Sequence, residues 1–256
     1  MLSSPVSPLC ESLLPHGDAG MRHVSPRVTR LFLLTILLLL SGARAVAETY
    51  VVDWRGGADF ETIQGGLDAA TDGDSVLVAS GTYTGTHNTN LNFHGERLLL
   101  AATEPGGPTI DCGGSDRGFS FGTGEDSLAI VDGFNITNGH AEAGGAVLIE
   151  EASPTFRNCY FGLCVATDRG GAVRAVGGNP IFDACEFDRN DALAGGGLAI
   201  EGGSVSLRSC VFSLNDADEA GGGLLLVDSS CSAYSCTFSY NECPCSPFSS
   251  SNLGGA

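Results

Sequence analysis

Ionisable residues recur at one position of a repeat in the second half of the chain. Arg157, Asp183 and Arg208 each lie two residues before the cysteine of a Cys-x-Phe motif, and Tyr234 occupies the next equivalent position. If successive repeats stack as parallel strands, these side chains point outward about 4.8 Å apart. They could then bind uronate carboxylates, or hold one Asp between two arginines. The alternative is a structural charge ladder that relieves like-charge stacking, which we favour because exposed ion pairs arise easily and contribute little. We keep the three residues as candidate ligand-binding residues and assign no catalytic residue.

Carboxylates near the turns of the same repeats are a second candidate for chemistry. Stacked carboxylates can supply the oxygen ligands that Ca²⁺ prefers. However, the sequence has neither EF-hand spacing nor a calcium-binding nonapeptide repeat. We therefore expect a solvated acidic face and no cofactor, with Ca²⁺ binding as the alternative. The residues concerned are Asp168, Asp188, Asp191, Asp216, Asp218 and Glu219.

Three short motifs recur with a period of about 26 residues, which indicates stacked structural units. Glycine pairs, interpreted as turns, are Gly144-Gly145, Gly170-Gly171, Gly196-Gly197 and Gly222-Gly223. The Cys-x-Phe pairs, interpreted as core, are Cys159 with Phe161, Cys185 with Phe187, Cys210 with Phe212, and Cys236 with Phe238. Asn190, Asn215 and Asn241 follow the last three pairs and should form a hydrogen-bonded ladder, whereas Cys164 takes this position in the first repeat.

The repeats predict a parallel β-solenoid. They are dense in Gly and in β-favouring residues and lack a helical apolar stripe. A break in alternation before each Cys predicts a corner between two short strands, after which Cys and Phe both point inward. After each Gly pair, Val147, Val173, Ala199 and Leu225 should form one apolar column.

The cysteines of the repeat should be buried free thiols. Stacked Cβ atoms lie about 4.8 Å apart, whereas a disulfide needs roughly 3.5–4.5 Å. Cys231, Cys243 and Cys245 lie outside the Cys-x-Phe column, in or beside a segment that breaks the period, and are better disulfide candidates.

Two family resemblances follow from these motifs. Gly144-Gly145-Ala146-Val147 and Phe187-Asp188-Arg189-Asn190 are similar to the GGA[ILV] and FxxN repeats of polymorphic outer-membrane proteins, which are surface adhesins. This resemblance covers residues 144–256 and departs at Phe161-Gly162-Leu163-Cys164. Residues 55–83 resemble the opening of pectin-lyase-like β-helices, in which a strand and a short amphipathic helix cap the solenoid. The resemblances imply an all-β, single-stranded right-handed parallel β-helix with a short N-terminal capping helix.

The N-terminal residues predict export, and the C-terminal residues predict that the natural chain continues beyond residue 256. A run of ten apolar residues at 31–40 follows three arginines, so residues 1–47 should be a secretory signal peptide. Met21 begins a conventional n-region, which points to residues 1–20 as a wrongly assigned start. Residues 48–117 should form the N-terminal cap and irregular coils, and residues 118–256 the repeats. The final Gly254-Gly255-Ala256 resembles the start of another repeat, so we expect the sequence to be truncated at its C-terminus.

Composition limits the classes of partner and function. A net charge of -18 argues against nucleic acid and anionic lipid, and no further apolar span follows the signal peptide. The esterase, polygalacturonase and lyase motifs of pectin-lyase-like enzymes are absent. We therefore expect a monomeric, secreted or cell-surface protein of the outer membrane or cell exterior, non-enzymatic, that serves adhesion or binds polysaccharide or cell-surface glycan. The alternative is a polysaccharide-degrading lyase or hydrolase.

Overall fold

The computed structural model describes residues 46–244 as a parallel β-solenoid of about seven turns. Every strand pairing within this part of the chain is parallel. The predicted fold class is confirmed, including the single short helix. Residues 1–45 of the predicted signal peptide, Cys245 and the final Gly254-Gly255-Ala256 lie outside the described residues. None of the helices within 46–244 is long and apolar enough to span a bilayer.

Four sheets run along the solenoid, and each coil contributes one strand to most of them. Sheet 1 contains β1 (Thr49–Val52), β2 (Ser75–Val78), β4 (Leu99–Ala102), β7 (Ile130–Asp132), β11 (Thr155–Arg157), β15 (Ile181–Asp183), β19 (Ser204–Arg208) and β23 (Ser230–Tyr234). Sheet 2 contains β3 (Thr82–Thr84), β5 (Thr109–Asp111), β8 (Asn135–Thr137), β12 (Tyr160–Gly162), β16 (Glu186–Asp188), β20 (Val211–Ser213) and β24 (Thr237–Ser239). Sheet 3 contains β9 (His140–Ala141), β13 (Val165–Arg169), β17 (Asp191–Ala194) and β21 (Asp216–Ala220). Sheet 4 contains β6 (Phe119–Phe121), β10 (Val147–Glu150), β14 (Val173–Val176), β18 (Leu198–Glu201) and β22 (Leu224–Val227).

The helix α1 (Ile63–Ala69) packs against the first coil, as predicted for the cap. The Thr62 side chain accepts a hydrogen bond from the Gly65 amide at its start, which satisfies one free helical donor. Ile63 and Leu67 are buried, and Phe60 packs beside them. The segment containing Phe60 also pairs with the outer edge of β1, so the N-terminal edge of sheet 1 is covered.

Corners between sheets 1 and 2 use residues in the left-handed region. Asn158, Ala184, Ser209 and Ser235 have φ between 50° and 55°. This is the corner that the sequence predicts immediately before each Cys. The turn reverses the alternation, so the following Cys and Phe point into the core.

The core is built from stacked columns of like residues. Phe161, Phe187, Phe212 and Phe238 stack with ring centroids 4.4–5.0 Å apart and nearly parallel planes between neighbours. Cys159, Cys185 and Cys210 are buried beside them, while Cys236 and Phe238 are half-buried. All four column cysteines are free thiols. Cys231, predicted as a disulfide candidate, is also a free thiol, and that expectation is wrong for this residue.

The asparagine ladder connects three coils inside the solenoid. Asn190 Nδ2 donates to Asn215 Oδ1 at 2.9 Å, and Asn215 Nδ2 donates to Asn241 Oδ1 at 2.8 Å. Each amide also donates to a backbone carbonyl of the preceding coil. Cys164 occupies the start of the ladder, where its backbone amide donates to Asn190 Oδ1 at 3.0 Å.

The glycine corners differ from the prediction in two coils. The left-handed glycines are Gly144, Gly170, Gly195 and Gly221, with φ between 60° and 70°. Gly196-Gly197 and Gly222-Gly223 therefore lie one residue beyond the turn positions predicted for them. The cause is β17, which is one residue shorter than its neighbours and pairs with a register shift on both sides.

The same shift changes the apolar column of sheet 4. The column runs through Val147, Val173, Leu198 and Leu224, and not through Ala199 and Leu225. Ala199 and Leu225 instead align with Arg174 on the neighbouring column. A shift of one residue moves a side chain to the opposite face of a strand, which is why the predicted column was wrong here.

Candidate functional site

The candidate site is an outward column of sheet 1, here called the charge column. Its members Asp132, Arg157, Asp183, Arg208 and Tyr234 are paired in direct register on successive strands. The structure therefore brings the three candidate ligand-binding residues together and adds Asp132 at one end. Opposite charges alternate along four coils, and the column ends on an aromatic ring that is 75% exposed.

Side chains of the charge column are not joined to one another by hydrogen bonds or ion pairs in the part of the chain that the structure describes. Among the ion pairs found in residues 46–244, none links Arg157, Asp183 or Arg208 to another residue. Asp132 accepts a hydrogen bond from Asn158 Nδ2 at 2.8 Å. Both arginines are exposed and Asp183 is half-buried. The guanidinium groups are thus open to a ligand, and the ladder interpretation has no contact pair to support it.

A second outward column of sheet 1 runs beside the charge column and is less polar. Ile130, Thr155, Ile181, Ser206 and Ser232 are in register along it. Ile181, Ser206 and Ser232 line a shallow groove that Arg208 also borders. The surface there combines hydroxyl groups, an aliphatic patch and a cation within one or two coils.

Another groove lies at the opposite end of the charge column. Asp132, Asn135 and Asn158 line it together with residues 101–106. Its volume is about 510 Å³. Sheet 1 therefore has a groove at each end of the charge column, and a chain-like ligand could contact both.

A buried carboxylate lies on the outer face of sheet 2, and the sequence considered it only as one of six candidate Ca²⁺ ligands. Asp188 accepts hydrogen bonds from the Tyr160 hydroxyl at 3.1 Å and from the Ser213 hydroxyl at 2.8 Å, and it pairs with Arg189 at 2.6 Å. Tyr160 reaches it by folding over Gly162, where a Cβ would collide with the ring. Burial, followed by the hydrogen bond to Asp188, raises the pKa of Tyr160 to about 12.

Sequence comparison adds the family. A family model described as a right handed beta helix region matches residues 112–253. The chain belongs to the right-handed β-helix family. No curated protein sequence and no solved structure gives a significant match.

The right-handed β-helix also carries an ion-pair cluster at the boundary between sheets 3 and 4. Glu201 pairs with Arg174 at 2.7 Å and with Arg169 at 2.8 Å, and Asp168 lies 3.6 Å from Arg174. Ala199, which points outward in this region, is fully buried. The register shift in β17 sets the pairing of Arg174 with Ala199 and of Val176 with Glu201 in this cluster.

The acidic residues considered for Ca²⁺ are divided between different environments. Asp188 and Asp168 are engaged in the contacts just described, whereas Asp191 and Asp216 are stacked in register on sheet 3. Burial, and then repulsion from Asp216 and Asp218, raise the pKa of Asp191. In residues 46–244, no three metal-ligating side chains converge as a cation site would require. Ca²⁺ binding stays a prediction.

Proposed function

We propose that this right-handed β-helix is an exported, non-enzymatic protein that binds glycans on the outer face of sheet 1. The observation that carries the proposal is the charge column, in which Arg157, Asp183 and Arg208 lie in register and unpaired beside an exposed Tyr234. Guanidinium groups suit carboxylates, and an exposed aromatic ring suits the apolar face of a sugar.

The repetitive surface favours a polymer over a small molecule. An exposed charge pair contributes at most about 1 kcal/mol, so one arginine binds a carboxylate weakly. A chain that contacts several coils gains from multivalency without any single strong contact. The same argument covers adhesion, in which the glycan belongs to another cell or to a matrix.

Binding to immobilised uronate and neutral polysaccharides tests the proposal. We expect binding to a uronate polymer that weakens when salt is raised, because the Debye length falls from about 10 Å at 0.1 M to 3 Å at 1 M. Arg208→Ala and Asp183→Ala should change this binding. Arg55→Ala, at an exposed arginine of the N-terminal cap, is the matched control for loss of one positive charge. Unchanged binding in both column variants would contradict the proposal.

A polysaccharide lyase or hydrolase is the second candidate. Its supporting observation is the position of Asp183 between two guanidinium groups in register. A screen of uronate polysaccharides for unsaturated or reducing products addresses it. Turnover that is abolished by Asp183→Asn would replace the non-enzymatic proposal with this one.

Export is the remaining part of the proposal and rests on the sequence of residues 1–47. N-terminal sequencing of protein recovered from the medium or the cell surface should place the mature start near Glu48. Recovery of full-length chain from the cytosol alone would contradict it.

A further inference from the structure

The charge column of sheet 1 is complementary to itself when its order is reversed. Along successive coils its charged members are Asp132, Arg157, Asp183 and Arg208, in direct register. Reversal places Asp132 opposite Arg208, and Arg157 opposite Asp183. Every carboxylate then faces a guanidinium group. A twofold dimer requires this kind of pattern, because both subunits present the same patch to each other.

One symmetry operation brings two such columns together. A twofold axis that lies in the interface and runs parallel to the strands turns the outer face of sheet 1 in one copy toward the same face of another. It reverses the order of the coils but keeps each column at its position along the strands. The axis passes between β11 and β15, so Arg157 and Asp183 pair across it. Packed sheets lie about 10 Å apart, and an arginine and an aspartate side chain together reach across that gap.

The four charged side chains are open to contacts across such an interface. Arg157 and Arg208 are exposed, and Asp132 and Asp183 are half-buried. None of the ion pairs in the described part of the chain involves any of the four. Asp132 accepts one hydrogen bond from Asn158, and a carboxylate can accept several more. All four therefore keep the capacity to pair with a second copy.

The same operation matches the two ends of the column. Ala101 precedes Asp132 in register, and Tyr234 follows Arg208. Tyr234 of one copy therefore faces Ala101 of the other. Tyr234 is exposed, and Ala101 lines the groove at the Asp132 end together with Ala102. A projecting ring thus meets a small side chain beside a groove, and the ends of the column do not hold the sheets apart.

A second copy complements all four charges, whereas the carboxylates of a uronate polymer pair with the two arginines alone. Opposite charges in an interface fix its register, and like charges brought together weaken it. The four residues have no net charge between them, so the net charge of -18 lies elsewhere on the chain. At 0.15 M salt the Debye length is about 8 Å, which screens repulsion between these more distant charges.

We propose that the outer face of sheet 1 binds the same face of a second copy of this chain through the reversed charge column. From Ala101 to Tyr234 the strip is about 24 Å long and about 10 Å wide, from the spacing of coils and of strand residues. This is less than the roughly 800 Å² that each partner buries in a stable complex. We therefore expect a weak dimer, with a Kd between about 1 μM and 1 mM. The inference does not depend on the proposed glycan binding, although both use sheet 1.

Sedimentation equilibrium of the full chain, reduced and at 0.15 M salt without polysaccharide, tests the dimer. Arg208→Asp sets two aspartates opposite each other and should raise Kd at least about tenfold, since each contact occurs twice in a twofold dimer. Asp132→Arg sets two arginines opposite each other and should also raise Kd, although it lowers the net negative charge. Arg55→Asp makes the same charge change as Arg208→Asp on the N-terminal cap and should leave Kd unchanged.

A mixture of the two column variants is the decisive measurement. When Arg208→Asp meets Asp132→Arg, all four positions are again opposite in charge. The mixture should form a heterodimer with a Kd close to the native value, at concentrations where each variant alone is monomeric. Circular dichroism confirms that both variants are folded. A mixture that stays monomeric, a native chain that does not associate at about 1 mM, or an equal effect of Arg55→Asp would overturn the proposal.

Discussion

Replacing Asn215 by Ala should be among the most damaging single changes in the solenoid. Asn215 is fully buried and its side chain makes four hydrogen bonds. Nδ2 donates to Phe187 O at 2.9 Å and to Asn241 Oδ1 at 2.8 Å, while Oδ1 accepts from Asn190 N at 3.1 Å and from Asn190 Nδ2 at 2.9 Å. At about 1 kcal/mol for each bond, the free energy of unfolding should fall by about 4 kcal/mol. That is a large part of a typical total of about 5–15 kcal/mol.

Urea unfolding followed by circular dichroism measures this loss. Ser239→Ala is the control, because Ser239 lies on the outer face of the adjacent coil and should cost less than about 0.5 kcal/mol. Asn241→Ala should fall between the two at about 2 kcal/mol, since its side chain is half-buried and water can replace part of its bonding. A loss below 1 kcal/mol for Asn215→Ala, or one equal to that of Ser239→Ala, would refute the reasoning.

The converse change should stabilise the protein. Cys164 occupies the ladder position of its coil, where its sulfur accepts a weak bond from Gly139 N at 3.4 Å and its thiol donates one to Gly162 O at 3.3 Å. In Cys164→Asn, the new amide can donate to Asn190 Oδ1 and accept from Gly139 N, so the ladder gains one rung. We expect a gain of about 1 kcal/mol in the same assay. A loss of stability would show that the corner cannot hold a larger side chain.

Three other changes follow from local geometry. Gly170→Ala should cost at least about 2 kcal/mol, because φ is 69° and an added Cβ would clash with the carbonyl oxygen of Val173; urea unfolding measures it. Burial opposes the ionisation of Glu125, but hydrogen bonds from Thr123 and neighbouring amides more than offset burial and lower the pKa of Glu125. The free energy of unfolding should therefore fall as pH drops below about 4.3, the ordinary pKa of Glu. This loss should be smaller in Glu125→Gln. Tyr160 should ionise near pH 12 by ultraviolet titration, and at lower pH in Asp188→Asn.

The solenoid could be predicted from the sequence because its coils repeat chemistry at fixed positions. The Cys-x-Phe pairs gave the inward columns, and counting back from each Cys placed Arg157, Asp183 and Arg208 in register. The Gly motif was less secure because three glycines in a row at 195–197 allow two alignments. The Cys-x-Phe spacing changes by one residue between Cys185 and Cys210, which is a sequence signal for the shortened β17.

Contacts between side chains of different coils could not be predicted from the sequence. The Tyr160–Asp188–Ser213 hydrogen bonds need Gly162 to leave room for a ring, and the residues are 25 to 28 positions apart. The cluster around Glu201 depends on the corrected register of sheet 4. Composition and periodicity identify which columns exist, whereas rotamers decide which neighbours in them touch.

The cluster around Glu201 and the charge column differ in whether oppositely charged side chains form ion pairs. Ion pairs between neighbouring coils do form elsewhere in the solenoid. Arg174 and Glu201, on neighbouring strands, pair at 2.7 Å. Coil spacing therefore permits contact between long side chains of opposite charge. Arg157, Asp183 and Arg208 stand in more direct register, yet none of them forms an ion pair with another residue of 46–244. The register of the charge column is therefore maintained by backbone pairing, and the proposal of a glycan site on it rests on the exposure of the two arginines.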